Sequence, residues 1–228
     1  MIGIIGAMSC ETEALCAATE NKTTECISGI TYISGILEGK EVVIATCGVG
    51  KVYAAICAQT MILTYHPTLI INTGVGGTLT AELGIGDVAV ASALVQHDMD
   101  TSAIGDPVGL VSGINKIYFE ADEKTAKTLT NCVQESGLTA KCGVIASGDQ
   151  FVASRERKDF IVATFGAIAC EMEGAAIAHV ATVNSIPFAV LRAISDEADG
   201  HATVDFPTFA AAAAKNSVAV LCRFLAGL

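Results

Sequence analysis

Four acidic residues of this 228-residue chain stand just beyond runs of apolar, largely β-branched residues. Glu11 follows the run at 2–5, Glu171 and Glu173 flank Met172 after 168–170, and Asp196 closes the stretch Arg192-Ala193-Ile194-Ser195-Asp196. A cluster of carboxyls around one cation can keep one carboxyl neutral and another ionised, the division that general acid–base chemistry uses. Arg192 supplies the cation, and a guanidinium inside an apolar run needs a carboxylate partner. Any one of these acids alone is explained by helix capping or solvation. Three strand ends delivering carboxylates to one edge is a pattern that capping does not explain.

Other patterns fail on inspection. Gly50-Lys51 is followed by Val52, and position 45 is alanine, so the phosphate-cradling loop spacing is not met. Gly84-Ile85-Gly86 precedes a strand where a dinucleotide fingerprint follows one, and Tyr53 takes the third glycine position if Gly48-Val49-Gly50 is tried. His97-Asp98-Met99-Asp100 has no second histidine nearby and reads as a hydrogen-bonded loop rather than a metal site; His66, His179 and His201 stand alone. No metal and no cofactor is expected. The nine cysteines include no C-x-x-C pair and mostly lie in apolar runs, which reads as buried free thiols in a reducing compartment.

The elements that must position the acids alternate between short strands and Ala-rich helices. Strands are expected at 2–5, 30–37, 41–47, 69–72, 87–95, 141–147, 168–170 and 188–194. Helices are expected from Ser9 as N-cap, then at 51–65, 121–136, 172–184 and 206–225, with a glycine-rich turn at 73–77 and loops at 96–113 and 195–200. Near-continuous apolar strands imply an α/β fold with a central sheet covered on both faces, a three-layer sandwich. In such folds ligands bind beyond the strand ends. Length and the absence of linkers or repeats give a single domain over 1–228.

Composition sets the outer limits. With 13 Lys+Arg against 24 Asp+Glu the net charge is −11, and the few cations are scattered, which argues against a nucleic-acid surface. Hydrophobic types reach 52% while aromatics make up 5%, so Ala, Val, Ile and Leu fill the core. The first lysine is Lys22 and no uncharged apolar run reaches about 18 residues, so a soluble, cytoplasmic protein with no membrane partner is expected.

In combination, Ile2-Gly3-Ile4-Ile5-Gly6-Ala7-Met8, Asn72-Thr73-Gly74, Ser147-Gly148-Asp149-Gln150-Phe151, Glu171-Met172-Glu173 and Arg192-Ala193-Ile194-Ser195-Asp196 occur in order. The whole chain resembles the 5′-methylthioadenosine/S-adenosylhomocysteine nucleosidases of the purine nucleoside phosphorylase-like superfamily. The resemblance implies a nucleoside phosphorylase-like mixed sheet and hydrolysis of the N-ribosidic bond, releasing adenine and a 5-thio-ribose, in methionine salvage and methyl-cycle detoxification. It implies Asp196, supported by Ser195, as the acid at adenine N7 and Glu11 as the base for water, with Arg192 nearby. Glu173 would bind the ribose hydroxyls, Met172 would pack on the sugar, Phe151 would stack on adenine and the Val152 backbone would read its edge. Phe206 matches a position near the 5′-substituent. In the family a homodimer partner closes that pocket with the loop corresponding to residues 101–104, where Ile104 stands in place of a frequent aromatic. Val75 replaces the serine of some members and removes a hydroxyl contact.

Superfamily phosphorylases hold phosphate with arginines, some from the N-terminal half, and this chain has none before Arg155. Water is the expected nucleophile. Three readings stay open: the adenosyl nucleosidase, an aminofutalosine hydrolase of menaquinone synthesis with the same acids and a different 5′ pocket, and a non-catalytic nucleoside-binding protein. A phosphate-dependent phosphorylase ranks below the first two.

Overall fold

The computed structural model describes all 228 residues. In chain order the elements are β1 (Ile2–Gly6), α1 (Ser9–Ala18), β2 (Glu20–Ile27), β3 (Ile30–Leu37), β4 (Lys40–Thr46), α2 (Lys51–Tyr65), β5 (Leu69–Asn72), β6 (Val75–Thr78), β7 (Val88–Gln96), β8 (Tyr118–Glu120), α3 (Glu123–Glu135), β9 (Ala140–Ser147), α4 (Arg155–Phe165), β10 (Ala167–Glu171), α5 (Gly174–Val183), β11 (Phe188–Asp196) and α6 (Ala202–Ala226). A 3₁₀ turn spans Ser102–Ile104.

All strands join one mixed sheet in the order β2-β3-β4-β1-β5-β11-β6-β10-β9-β7-β8. Strand β11 also pairs antiparallel with β7, so β11, β6, β10, β9 and β7 close into a ring. The layers follow from side-chain alternation along each strand. In β1, Ile4 joins the core beneath α1, α3 and α6, while Ile5 joins the core beneath α2 and α5. Along β11, Ala189, Leu191 and Ala193 face the first core, and Phe188, Val190 and Ile194 the second. Helix α4 covers the closed ring with Ile161 and Phe165. Burying each large aliphatic side chain contributes about 1.5–3 kcal/mol. Helix α6 is long and apolar enough to cross a membrane by composition, but Ala214, Val220, Leu221 and Phe224 are buried in the core beneath it.

Several expectations change. Strand β6 forms where the glycine-rich turn at 73–77 was expected, because β11 and β10 pair with it on both sides. Strands β2 and β8 and helix α4 are additional. Strand β10 runs antiparallel to β6, and hence opposite to β11, so the acids do not lie on the shared edge of a parallel sheet. They meet at a seam: Gly77 of β6 pairs with Cys170 of β10 on one side and with Asp196 of β11 on the other. Ser9 is the first helical residue of α1 rather than its cap; Glu11 instead accepts the Met8 N–H at 2.9 Å. Only Cys47, Cys57, Cys132 and Cys170 of the nine free thiols are buried; Cys10, Cys26 and Cys142 are exposed.

Candidate active site

A cavity of ≈ 250 Å³ opens at that seam. Its wall comprises Ala7, Met8, Glu11, Val49, Val75, Gly76, Gly77, Gln150, Phe151, Val152, Cys170, Glu171, Met172, Glu173, Ser195, Asp196 and Phe206. Four carboxyls and no lysine or arginine line it. Glu11 reaches in from the first turn of α1 and is fixed by three backbone amides. Ala7 N–H (2.7 Å) and Met8 N–H (2.9 Å) donate to Oε2, and Val75 N–H donates to Oε1 at 3.0 Å. Gly74 must be glycine here, since a Cβ would overlap the Glu11 carboxylate.

Asp196 ends β11, 3% exposed. Ser195 Oγ donates to its Oδ2 at 2.9 Å and Ala198 N–H to its Oδ1 at 2.9 Å. Burial raises its pKa above the ordinary aspartate value, outweighing those two hydrogen bonds. A Cβ on Gly77 would stand 2.6 Å from Asp196 Oδ1, so the seam admits this carboxyl only beside glycine.

Glu171 ends β10 and Glu173 caps the start of α5. Glu171 accepts the Glu173 N–H at 3.1 Å and the Gly174 N–H at 2.8 Å, using the positive end of the helix. Its other partners are the Ser147 hydroxyl and the Arg192 guanidinium, which also holds the Asn72 side-chain carbonyl. Glu173 accepts the Gly50 N–H at 2.8 Å. Burial, then the nearby Glu171 charge, pushes Glu173 up to about 7. Burial would lower the Arg192 pKa, but Glu171, Glu11 and Glu173 together raise it. One buried guanidinium thus serves three glutamates, and the cavity keeps an excess of acid over base.

The profile of the phosphorylase superfamily matches residues 1–226. A 5′-methylthioadenosine/S-adenosylhomocysteine nucleosidase of Actinobacillus succinogenes is 39% identical over 228 residues, covering 100% of this chain and 99% of that one. The chain belongs to the 5′-methylthioadenosine/S-adenosylhomocysteine nucleosidase family. Among solved structures, the Neisseria meningitidis nucleosidase in complex with methylthio-immucillin-A superposes with a TM-score of 0.96 at 34% identity, covering 100% of this chain and 99% of that one. A futalosine hydrolase of Helicobacter pylori superposes with a TM-score of 0.95 at 37% identity, covering 100% and 97%.

Within this nucleosidase fold, Glu11, Val75, Phe151, Val152, Met172, Glu173, Ser195, Asp196 and Phe206 all border the one cavity. Phe151 and Phe206 meet edge to face, ring centres 5.5 Å apart. Two expected residues do not border it. Arg192 is fully buried behind the wall, turned to Glu171 and Asn72, so it acts on the site only through them. Ile104 sits outside the cavity and is 82% exposed. Asn72 and Ser147, motif residues with no expected site role, complete the Arg192–Glu171 cluster, and Cys170, Gln150 and Val49 join the wall without having been expected there. Their signal was position: each stands at or just after the end of a strand or the loop beyond it.

Proposed function

We propose that the chain hydrolyses the N-ribosidic bond of 5′-methylthioadenosine and S-adenosylhomocysteine, and that the cavity is its active site. The observation that carries this is a wall of four carboxyls without a lysine or arginine. An anionic nucleophile such as phosphate would be repelled and desolvated there, whereas water can be oriented and deprotonated. The four arginines are engaged or remote: Arg157 binds His97, Arg192 binds Glu171, Arg223 lies 3.5 Å from Glu135, and Arg155 opens α4.

Breaking the bond leaves positive charge on the sugar and electrons on the departing base. Asp196, whose pKa burial raises, gives its proton to the adenine ring as the C1′–N9 pair moves into the base. Ser195 holds its other oxygen. Glu11 takes a proton from the attacking water, whose oxygen bonds to C1′. The net change is one water added, and proton exchange with solvent resets both acids. Glu173 accepts from the ribose hydroxyls, and Phe151 and Phe206 cover the base and the 5′ side.

The Helicobacter pylori futalosine hydrolase supports a second reading with identical chemistry on another 5′ substituent. Adenine release from methylthioadenosine, S-adenosylhomocysteine and aminofutalosine, measured in parallel, separates the two: a higher kcat/KM on the first two supports the nucleosidase, and turnover of aminofutalosine alone overturns it. We read residues 1–228 as one unit, supported by the continuous sheet, and the nine unpaired thiols support a reducing, cytoplasmic setting. A homodimer is supported by Val52, Tyr53, Ile56 and Leu63, apolar and exposed on α2. The Ile104 loop would then close the partner's 5′ pocket, and Val52→Asp should give monomers in sedimentation with a raised KM.

A further inference from the structure

The His97-Asp98 pair is absorbed by no step above, yet it ties together both halves of the cavity. Asp98 Oδ1 takes the Lys51 ammonium at 2.7 Å, and its Oδ2 takes the Asp149 N–H at 2.9 Å. Asp149 Oδ1 in turn accepts the Lys51 N–H at 2.7 Å, capping α2 from 98 residues away and closing a ring of three side chains. On one side of this ring, the chain runs straight from Asp149 into Gln150, Phe151 and Val152 of the wall. On the other, Gly50 next to Lys51 donates its N–H to Glu173. His97 fixes the ring from behind. It is buried beside Arg157, whose Nη2 donates to its Nδ1 at 2.7 Å, and its own N–H binds Ser147 O at 2.9 Å. A Cβ on Gly148 would lie 2.5 Å from the His97 ring and 3.1 Å from Asp98 Cγ, so the 147–149 strap rests directly on this pair. Although burial opposes it, Lys51 and the Asp149 N–H hold Asp98 below the ordinary aspartate pKa, as a fixed anion.

Resting on the nucleosidase reading, we propose that Asp98 is a positioning residue that sets the spacing between the base-binding strap at 150–152 and the ribose acid Glu173. Asp98 does not border the cavity itself. Its effect falls on ligands that span both subsites, because only these need the two halves held at a fixed separation.

The test uses Asp196→Asn as background, so that intact methylthioadenosine can be titrated calorimetrically alongside free adenine. Adding Asp98→Ala should weaken methylthioadenosine about tenfold while adenine changes less than about twofold. Asp98→Asn keeps an acceptor for the Asp149 N–H and should recover most of that loss. Lys51→Met removes only the ammonium and should cost about threefold, which keeps the test valid if Asp98→Ala does not fold. Equal weakening of adenine and nucleoside, or no change in either, overturns the proposal. Failure of the Asp196→Asn protein itself to bind adenine or methylthioadenosine would overturn the functional reading instead.

Discussion

Glu171 and Asp196 are buried in the wall of one cavity, at 7% and 3% exposure, and their surroundings are opposite. Glu171 faces the Arg192 guanidinium and accepts from a serine hydroxyl and two amides at the head of α5. Asp196 has a serine, one amide and no cation in contact. The same side-chain chemistry thus yields a structural anion in one place and a carboxyl inclined to keep its proton in the other. The raised pKa of Asp196 goes with the lack of a counter-ion in contact, and the nearby ion pair shows that the fold could have supplied one.

The largest effect should come from breaking the Asp196 side of this contrast. Asp196→Asn cannot donate its proton to the leaving base, and kcat should fall about 10²–10⁴-fold with adenine affinity retained. The wild-type pH profile should carry the same sign: as pH rises through the elevated Asp196 pKa the acid is lost, and kcat should decline. Breaking the Glu171 side should cost stability first. Arg192→Met strands a buried carboxylate, and denaturant unfolding should show a loss of about 3–5 kcal/mol. The added change Glu171→Met should return part of it.

Glu173 lies between the two cases, with partial access to Arg192 and a pKa of about 7. In the proposed role its ionised form would accept the ribose hydroxyls, so kcat/KM should fall about tenfold per unit as pH drops below about 7, and Glu173→Gln should lack that limb. A folded-state pKa above the unfolded value means stability present at low pH and lost as pH rises through about 7. Glu173→Gln should therefore be more stable than wild type at pH 8, on the order of 2 kcal/mol, while binding nucleoside more weakly. The smallest effect sharpens the aromatic cover. Phe151→Ala should raise KM about tenfold or less, with kcat nearly unchanged, since it removes stacking area and no proton-transfer group.

Much of this was legible from residue order. Apolar runs at 2–5, 69–72 and 188–194 located β1, β5 and β11, and acids placed after strands marked the wall of the cavity. Strand β2 escaped because Glu20–Ile27 is almost wholly exposed and carries no alternating pattern; it is held by pairing with β3. Strand β6 escaped because Gly76 and Gly77 disfavour an isolated strand, and only the close approach of β10 and β11 makes one. Ring closure through β7 and β11 joins residues about a hundred apart and leaves no local trace. Helix α4 did leave one, the Ser154 cap on Arg157 N–H, ahead of a charged first turn. Pro207 in the second turn of α6 hid the four residues before Phe206.

An acid-lined cavity without a lysine or arginine should use water as its nucleophile. The most direct measurement is the product balance with methylthioadenosine in phosphate-free buffer and again in excess phosphate. Equal rates, yielding adenine and free 5-methylthioribose in a one-to-one ratio in both buffers, are the predicted result. A rate that vanishes without phosphate, with a ribose 1-phosphate product when it is restored, would contradict it.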